Sequence, residues 1–559
     1  MLKKIYTLFR QKAISVSLLV SLIAFYQATF LNFTYYKHVL SALSINSLDD
    51  VLFFCTMPIV VFCVISALLS VFIFPKLIKL IACLLVIIGA WLSYFMSTYS
   101  IMIDRDMLQN ALDTNQAESF ALVTPSLIIN VIILGILPSL LILFVRVKPI
   151  KKWTYYLLRR MITIILSIAV IALVAMFFYK NYATFMRNNN GIIKYLMPSN
   201  YIVAVYNQYN YLQYQRIPFT ELGDDAYQVP IKNTNGQKNV MILIVGETAR
   251  ANNFSLGGYD KPTNSLLAKQ NVIYFQNTSS CGTATAYSLP CMFSNMTREN
   301  YEPQLANKQS NALDILQKAG INILWVDNDS GCKGVCDRVP NVDITEKYKN
   351  NFKQCRDGVC YDDILFSDLP QYLDNIKSDT LIVLHTIGSH GPTYYQRYPD
   401  EYKKFTPTCD TNEINRCSQE ALINTYDNTI AYTDSIINQA INLLKSYDDR
   451  YNTSLMYLSD HGESLGESNI YLHGMPYSVA PKYQTQIPLL IWLSDKYQQQ
   501  ENIDTDCLSQ QAKNDQFSQD NLFHSLLGMF NIKTTQYQPQ LNLLSRCQIA
   551  NQGEMVKPL

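Results

Sequence analysis

Two short segments of the 559-residue chain combine residue types that can hold a metal ion. Glu247 follows directly on NVMILIV (239–245) and Gly246, while Asp460 and His461 follow on NTSLMYL (452–458) and Ser459. Two carboxylates and an imidazole suit Zn²⁺, which takes nitrogen and oxygen ligands and, in catalytic sites, keeps a fourth position open. An Asp–His dipeptide alone serves as readily as a loop element or a helix cap. What favours a site here is that both segments close apolar runs of the kind that pair within one sheet. A fourth ligand would act as the nucleophile, and CGTATAYSLPC (281–291) offers the hydroxyls of Thr283, Thr285 and Ser288. A free threonine is a weak nucleophile, but a divalent cation favours its alkoxide and holds it in line with a phosphorus atom. Each hydroxyl also fits a polar loop or an N-cap, and the segment itself does not choose among them.

Six histidines occur, and four of them, His385, His390, His461 and His473, fall in LHTIGSHGP and SDHGESLGESNIYLHG. His390 and His473 are suited to a second metal, or to a substrate phosphate with protonation of a leaving oxygen. His385, beside its apolar run, reads as structural, as do His38 and His524.

The elements that must position these residues are apolar runs rich in branched side chains, the pattern of strands buried on both faces. Besides 239–245, they are SDTLIVLHTI near 378–387, NTSLMYLSD at 452–460 and QIPLLIWLSD at 486–495. Helical patterns such as NALDILQKAG and NTIAYTDSIINQAINLLKSY alternate with them. This order predicts an α/β sandwich around a mostly parallel sheet, whose active groups gather beyond the carboxyl ends of the strands.

The first third of the chain is of another kind. Residues 13–36, 51–75, 80–103, 119–145 and 161–179 carry no Asp, Glu, Lys, Arg or His. Each is close to or beyond the roughly 20 residues that cross about 30 Å of hydrocarbon. The first exceeds a signal-peptide core and lacks a convincing cleavage site after it, so it is expected to stay as an anchor. Basic residues collect in alternate loops: Lys3, Lys4, Arg10 and Lys12, then Lys76 and Lys79, then Arg146, Lys148, Lys151, Lys152, Arg159 and Arg160. The intervening loops hold only Lys37 and Arg105, beside six acidic residues. A cytoplasmic N-terminus follows, and five spans then export everything beyond about Tyr179. The predicted organisation is a transmembrane domain of five helices over 1–180, a bridging segment with interfacial helices over 181–238, and an exported catalytic domain over 239–559.

Composition agrees. The chain is 49% hydrophobic and only 16% charged, against about 25% charged in soluble domains. Lys plus Arg (45) nearly cancels Asp plus Glu (44), which gives no electrostatic case for nucleic acid as a partner. Ten of the 13 cysteines lie beyond residue 280 in close pairs, Cys281 with Cys291, Cys332 with Cys336, Cys355 with Cys360, Cys409 with Cys417, and Cys507 with Cys547. Five disulfides between these neighbours are expected of an exported domain, although a CxxxC pair such as Cys332 and Cys336 also occurs in metal sites.

Taken together, GETAR, SCGTATAYSLPCMFS, GCKGVCDRVP, GSHGPTYYQRYP, SDHGESLGE and YLHGMP resemble the phosphoethanolamine transferases that modify lipid A in Gram-negative bacteria, a group that includes the polymyxin-resistance enzymes. The resemblance covers essentially the whole chain. It implies five spans followed by an exported sulfatase-like, or alkaline-phosphatase-like, domain at the inner membrane, with the catalytic domain in the periplasm. It implies that Glu247, Thr285, Asp460 and His461 bind a catalytic zinc and that Thr285 carries a phosphoethanolamine intermediate. His390 and His473 match positions of a second metal or substrate site, and Ser330 and Lys333 match headgroup-binding positions. Asn110, Thr114 and Glu118 match positions linked to the lipid substrate; their i, i+4, i+8 spacing would place an amide, a hydroxyl and a carboxylate on one helical face. The implied donor is phosphatidylethanolamine, the acceptor is lipid A, and the enzyme is expected to act as a monomer embedded in the membrane. Ala284, between the two threonines, is Ser in some relatives.

Overall fold

The computed structural model describes residues 13–72, 77–99, 101–105, 107–108, 124–150, 152–230, 236–350, 355–356 and 359–549. It divides into two compact units, Met1–Arg216 and Ile217–Leu559.

In the first unit, the helices Leu48–Val71, Ile78–Thr98, Pro125–Phe144 and Trp153–Asn188 are long and apolar enough to cross a membrane. A bent pair, Val16–Leu31 and Phe33–Ala42, meets at 51° and makes a fifth span when counted as one. The bend has a local cause. A π turn, Gln27–Leu31, leads into Asn32, whose buried amide donates to the Gln27 carbonyl and exchanges hydrogen bonds with the backbone of Met197. A side chain that takes over backbone groups in this way breaks the helical ladder. The last helix runs well beyond the apolar stretch 161–179: its 36 residues measure about 54 Å at 1.5 Å each. Arg159 and Arg160 at one end, and Lys180 and Arg187 at the other, lie outside the span that about 30 Å of hydrocarbon requires. The helix Ser199–Gln215 packs within this first unit.

The second unit is built on a seven-stranded sheet. In chain order its strands are β1 (Lys238–Gly246), β2 (Val272–Phe275), β3 (Asn322–Asp327), β4 (Asn341–Asp343), β5 (Thr380–His385), β6 (Tyr451–Ser459) and β7 (Leu489–Leu493), and their spatial order is β2-β7-β6-β1-β5-β3-β4. β6, β1, β5, β3 and β4 run parallel, while β7 is antiparallel to both of its neighbours. Side chains of a strand alternate between faces, and β1 shows the result. Val240, Ile242 and Ile244 join a core with the helix Gln419–Lys445, whereas Met241, Leu243 and Val245 join one with Ala312–Lys318 and Asp520–Met529. The expected α/β sandwich is therefore present. β2, β3 and β4 extend the sheet beyond the four strands that the apolar runs indicate.

All five expected disulfides are formed, including Cys332–Cys336.

Candidate active site

β1 and β6 pair in parallel from Tyr451 opposite Lys238 to Ser459 opposite Gly246. That register carries Glu247 and Asp460 off the sheet side by side, with the Asp460 N–H donating to the Gly246 carbonyl at 2.8 Å. The helix Thr285–Met292 begins over these strand ends. The Thr285 hydroxyl donates to Glu247 Oε2 at 2.9 Å and lies 3.4 Å from His461 Nε2. His461 Nε2 is 3.5 Å from Glu247 Oε1 and 3.2 Å from Asp460 Oδ2. Glu247, Asp460 and His461 are fully buried, whereas Thr285 is only partly covered. Thr285 thus stands at the open edge of a buried acidic cluster.

The structure also chooses among the three hydroxyls. Thr283 donates to the Met475 carbonyl at 2.6 Å, and Ser288 donates to the Asp460 carbonyl at 2.6 Å. Both therefore hold loops together, and only Thr285 meets the Glu247–His461 cluster. Gln519, absent from the sequence-based site, is the central tie: its Oε1 accepts from Cys281 N at 2.6 Å, and its Nε2 donates to the carbonyls of Ser459 and Asp460. Gly388 supports Glu247 from β5, with Ser389 N donating to the Glu247 carbonyl at 3.0 Å.

These donors fit a zinc ion. His461 Nδ1 faces the Gly462 carbonyl at 2.9 Å. Donation there fixes the tautomer and leaves the Nε2 lone pair toward the carboxylates, as in metal-ligating histidines. Asp460 Oδ1 accepts from Thr248 N and His461 N, while its Oδ2 is buried with no hydrogen bond. Burial pushes the Asp460 carboxyl up to about 6. Burial, followed by the neighbouring Asp460, pushes Glu247 well above the usual carboxylate range. Two carboxylates kept from water in this way call for a cation between them. Donor atoms from Glu247, Asp460 and His461 lie within 4.8 Å of one another.

Of the other predicted residues, His473 Nδ1 lies 3.2 Å from Glu463 Oε1, and its ring centroid is 4.3 Å from that of His461 and 6.0 Å from that of His390. Both histidines thus line the same pocket. Lys333 donates to the carbonyl and hydroxyl of Ser330, each at 2.7 Å, and the Ser330 hydroxyl donates to Asp329 Oδ2 at 3.0 Å. The Cys332–Cys336 bridge encloses Lys333, whose φ of +51° is rare outside glycine. Asn110, Thr114 and Glu118 lie outside the described residues. His38 stacks on Tyr195, and His524 Nδ1 accepts from Gln538 N at 3.1 Å, both structural roles.

Residues 239–532 match the family described as Sulfatase, and residues 61–214 match that described as Phosphoethanolamine transferase EptA/EptB. Phosphoethanolamine transferase EptA of Salmonella typhimurium is 52% identical over 94% of this chain and 96% of its own length. The chain belongs to the phosphoethanolamine transferase family. Within that family it is also 38% identical to phosphatidylethanolamine transferase Mcr-1 of Escherichia coli, over 86% of this chain and 90% of the relative. The solved structure of the integral membrane lipooligosaccharide phosphoethanolamine transferase A of Neisseria meningitidis superposes with a TM-score of 0.64 at 39% identity, covering 96% of this chain and all of that one. The transferase likeness therefore extends over both units.

Proposed function

We propose that this transferase moves phosphoethanolamine from phosphatidylethanolamine to a phosphate of lipid A through a covalent intermediate on Thr285. The observation that carries this reading is the partly covered Thr285 hydroxyl, held at 2.9 Å by Glu247 and facing His461 over the unpaired oxygen of Asp460. In the first displacement, Thr285 Oγ1 passes its proton toward Glu247 and bonds to phosphorus. The phosphorus–oxygen bond to diacylglycerol breaks, and the departing oxygen takes up a proton. In the second, a lipid A phosphate oxygen bonds to the same phosphorus, and Thr285 leaves and recovers its proton.

Zn²⁺ held by Glu247, Thr285, Asp460 and His461 would favour the alkoxide and neutralise charge on the phosphoryl oxygens. Glu247 orients the hydroxyl. Tyr287 N and Ser288 N donate to the Ala284 carbonyl at the start of that helix, which leaves the Thr285 and Ala286 amides, at its first two positions, to suit phosphate oxygens. Lys333, held on Ser330, supplies a point charge to the transferring group. His390 and His473 face the same pocket and serve the phosphate or the leaving oxygen, while Asn110, Thr114 and Glu118 bind the lipid substrate.

The five disulfides and the loop charges support an inner-membrane enzyme of a Gram-negative cell whose catalytic domain lies in the periplasm. An added ethanolamine brings a cation to lipid A and lowers its attraction for cationic peptides such as polymyxins.

Peptide mapping of the purified full chain tests the reading: a phosphoethanolamine-sized mass increment is expected on the peptide carrying Thr285. Thr285→Ala should abolish both that adduct and the corresponding increment on lipid A in cells. Undiminished lipid A modification by Thr285→Ala would refute the covalent route.

A further inference from the structure

A second set of donors adjoins the first. Donor atoms of Glu247, Asp329 and His385 lie within 4.8 Å of one another, and Glu247 belongs to both sets. His385 ends β5, the neighbour of β1, and Asp329 follows β3 on the other side of β5, so the parallel register brings them to the same edge of the sheet. We propose that a second divalent cation binds here, held by Asp329 and His385 and bridged to the Thr285 site by Glu247. The proposal rests on the reading that the Thr285 cluster holds the first cation.

His385 carries the argument. It is completely buried, and its Nδ1 lies 2.9 Å from Asp327 Oδ2. Asp327 is itself fixed: Trp325 Nε1 donates to Oδ2 at 2.8 Å, while Asp329 N and Gly331 N donate to Oδ1. A carboxylate that accepts from one imidazole nitrogen orients the other as a ligand, the outer-shell arrangement of metal-bound histidines. The other nitrogen, Nε2, is buried with no hydrogen-bond partner. The same Asp327 that orients His385 also anchors the backbone of Asp329, so one residue positions two of the three donors.

Charge points the same way. Glu247, Asp327, Asp329 and Asp460 bring four carboxylates to one end of the sheet, and a phosphodiester substrate adds a further negative charge. The buried Arg397 acts on Glu247 and Asp329 and offsets part of this charge, and a second dication offsets more. Each Glu247 oxygen has two lone pairs, so accepting from Thr248 and Thr285 leaves capacity for bridging. One imidazole and two carboxylates suit Zn²⁺ or Mn²⁺. A pair about 3.5–4 Å apart would clamp the attacking and leaving oxygens of an in-line displacement. This places the second ion at Asp329 and His385 and leaves His390 and His473 to the substrate.

The test uses the full chain in detergent, stripped with chelator and dialysed against Zn²⁺ alone, with bound metal measured per chain and X-ray absorption used to detect a metal–metal vector. Two ions per chain with a vector near 3.5–4 Å are expected, falling to one in Asp329→Asn and in His385→Gln while circular dichroism is unchanged. Asp329 is only partly buried, so its isosteric variant stays folded if His385→Gln does not. One ion per wild-type chain would overturn the second site and leave the first standing. A second ion lost in His390→Ala but retained in Asp329→Asn would overturn the assignment. No bound ion in the wild type would remove the metal reading of Thr285 as well.

Discussion

Gln519 tests whether the Thr285 helix is held in place by the Asp460–His461 strand end rather than by its own loop. The side chain is fully buried, accepts from Cys281 N at 2.6 Å, and donates to the carbonyls of Ser459 at 2.8 Å and Asp460 at 2.7 Å. Gln519→Leu keeps most of the volume and removes every one of these bonds. The Asp460 carbonyl retains the Ser288 hydroxyl at 2.6 Å, so the Cys281 N–H and the Ser459 carbonyl lose this partner. At about 1–3 kcal/mol for each buried group left unsatisfied, the expected loss of stability is about 2–6 kcal/mol. Thr285 follows Cys281 by four residues of chain, and a shift of about 1 Å at a nucleophile costs on the order of 100-fold in rate. The variant should therefore unfold at lower temperature and lose kcat, with KM for the lipid donor nearly unchanged. Thermal unfolding of the detergent-solubilised chain and a transfer assay on defined lipids measure both quantities. A variant with wild-type kcat and an unfolding temperature within about 1 °C of wild type would show that Gln519 positions nothing.

A methyl group on Gly388 would lie 2.6 Å from the Glu247 carbonyl, at a φ of +48°. Gly388→Ala should therefore lose Zn²⁺ affinity and transfer activity, whereas Gly320→Ala, with φ +93° and open space, should cost about 1–2 kcal/mol of stability and leave Zn²⁺ affinity unchanged; equal behaviour in a binding assay would contradict this. Because burial holds Asp460 at about 6 and Glu247 higher, metal must displace protons. Zn²⁺ affinity should fall about tenfold per pH unit and proton below pH 6, read by equilibrium dialysis from pH 5 to 7. Without metal, the folded state binds more protons at Asp460 than the unfolded state between about pH 4 and 6. The metal-free protein should then lose on the order of 3 kcal/mol as pH rises through that window, and urea titrations that show a gain instead would refute the assignment. Replacing Cys281 and Cys291 by Ala opens a loop of sequence separation 10, and replacing Cys507 and Cys547 opens one of 40. Chain entropy predicts losses of about 3 and 4 kcal/mol, yet only the first pair flanks Thr285 and should also lower kcat.

The parts of the site that the sequence announces are those carried by strands buried on both faces. NVMILIV and NTSLMYL read as unbroken apolar runs because both faces of β1 and β6 are packed, and Glu247, Asp460 and His461 follow as their ends. β3 is harder to see: NILWVD begins exposed and ends in an acid, so its apolar run is short. Asp327 and Asp329 are hidden with it. His385 reads as structural from its place beside an apolar run, and its Nδ1 does meet Asp327; the orphaned Nε2 appears only when β5 is set between β1 and β3. Thr285 could not be separated from Thr283 and Ser288 by residue type, since the choice depends on which hydroxyl a helix start turns toward Glu247. The ends of the last membrane helix are hidden for the opposite reason. Charged residues stop an apolar count at 161 and 179, but they do not stop a helix, because the backbone keeps its own hydrogen bonds through Arg159 and Lys180. Hydropathy therefore reports where the bilayer ends, and backbone hydrogen bonding decides where the helix does.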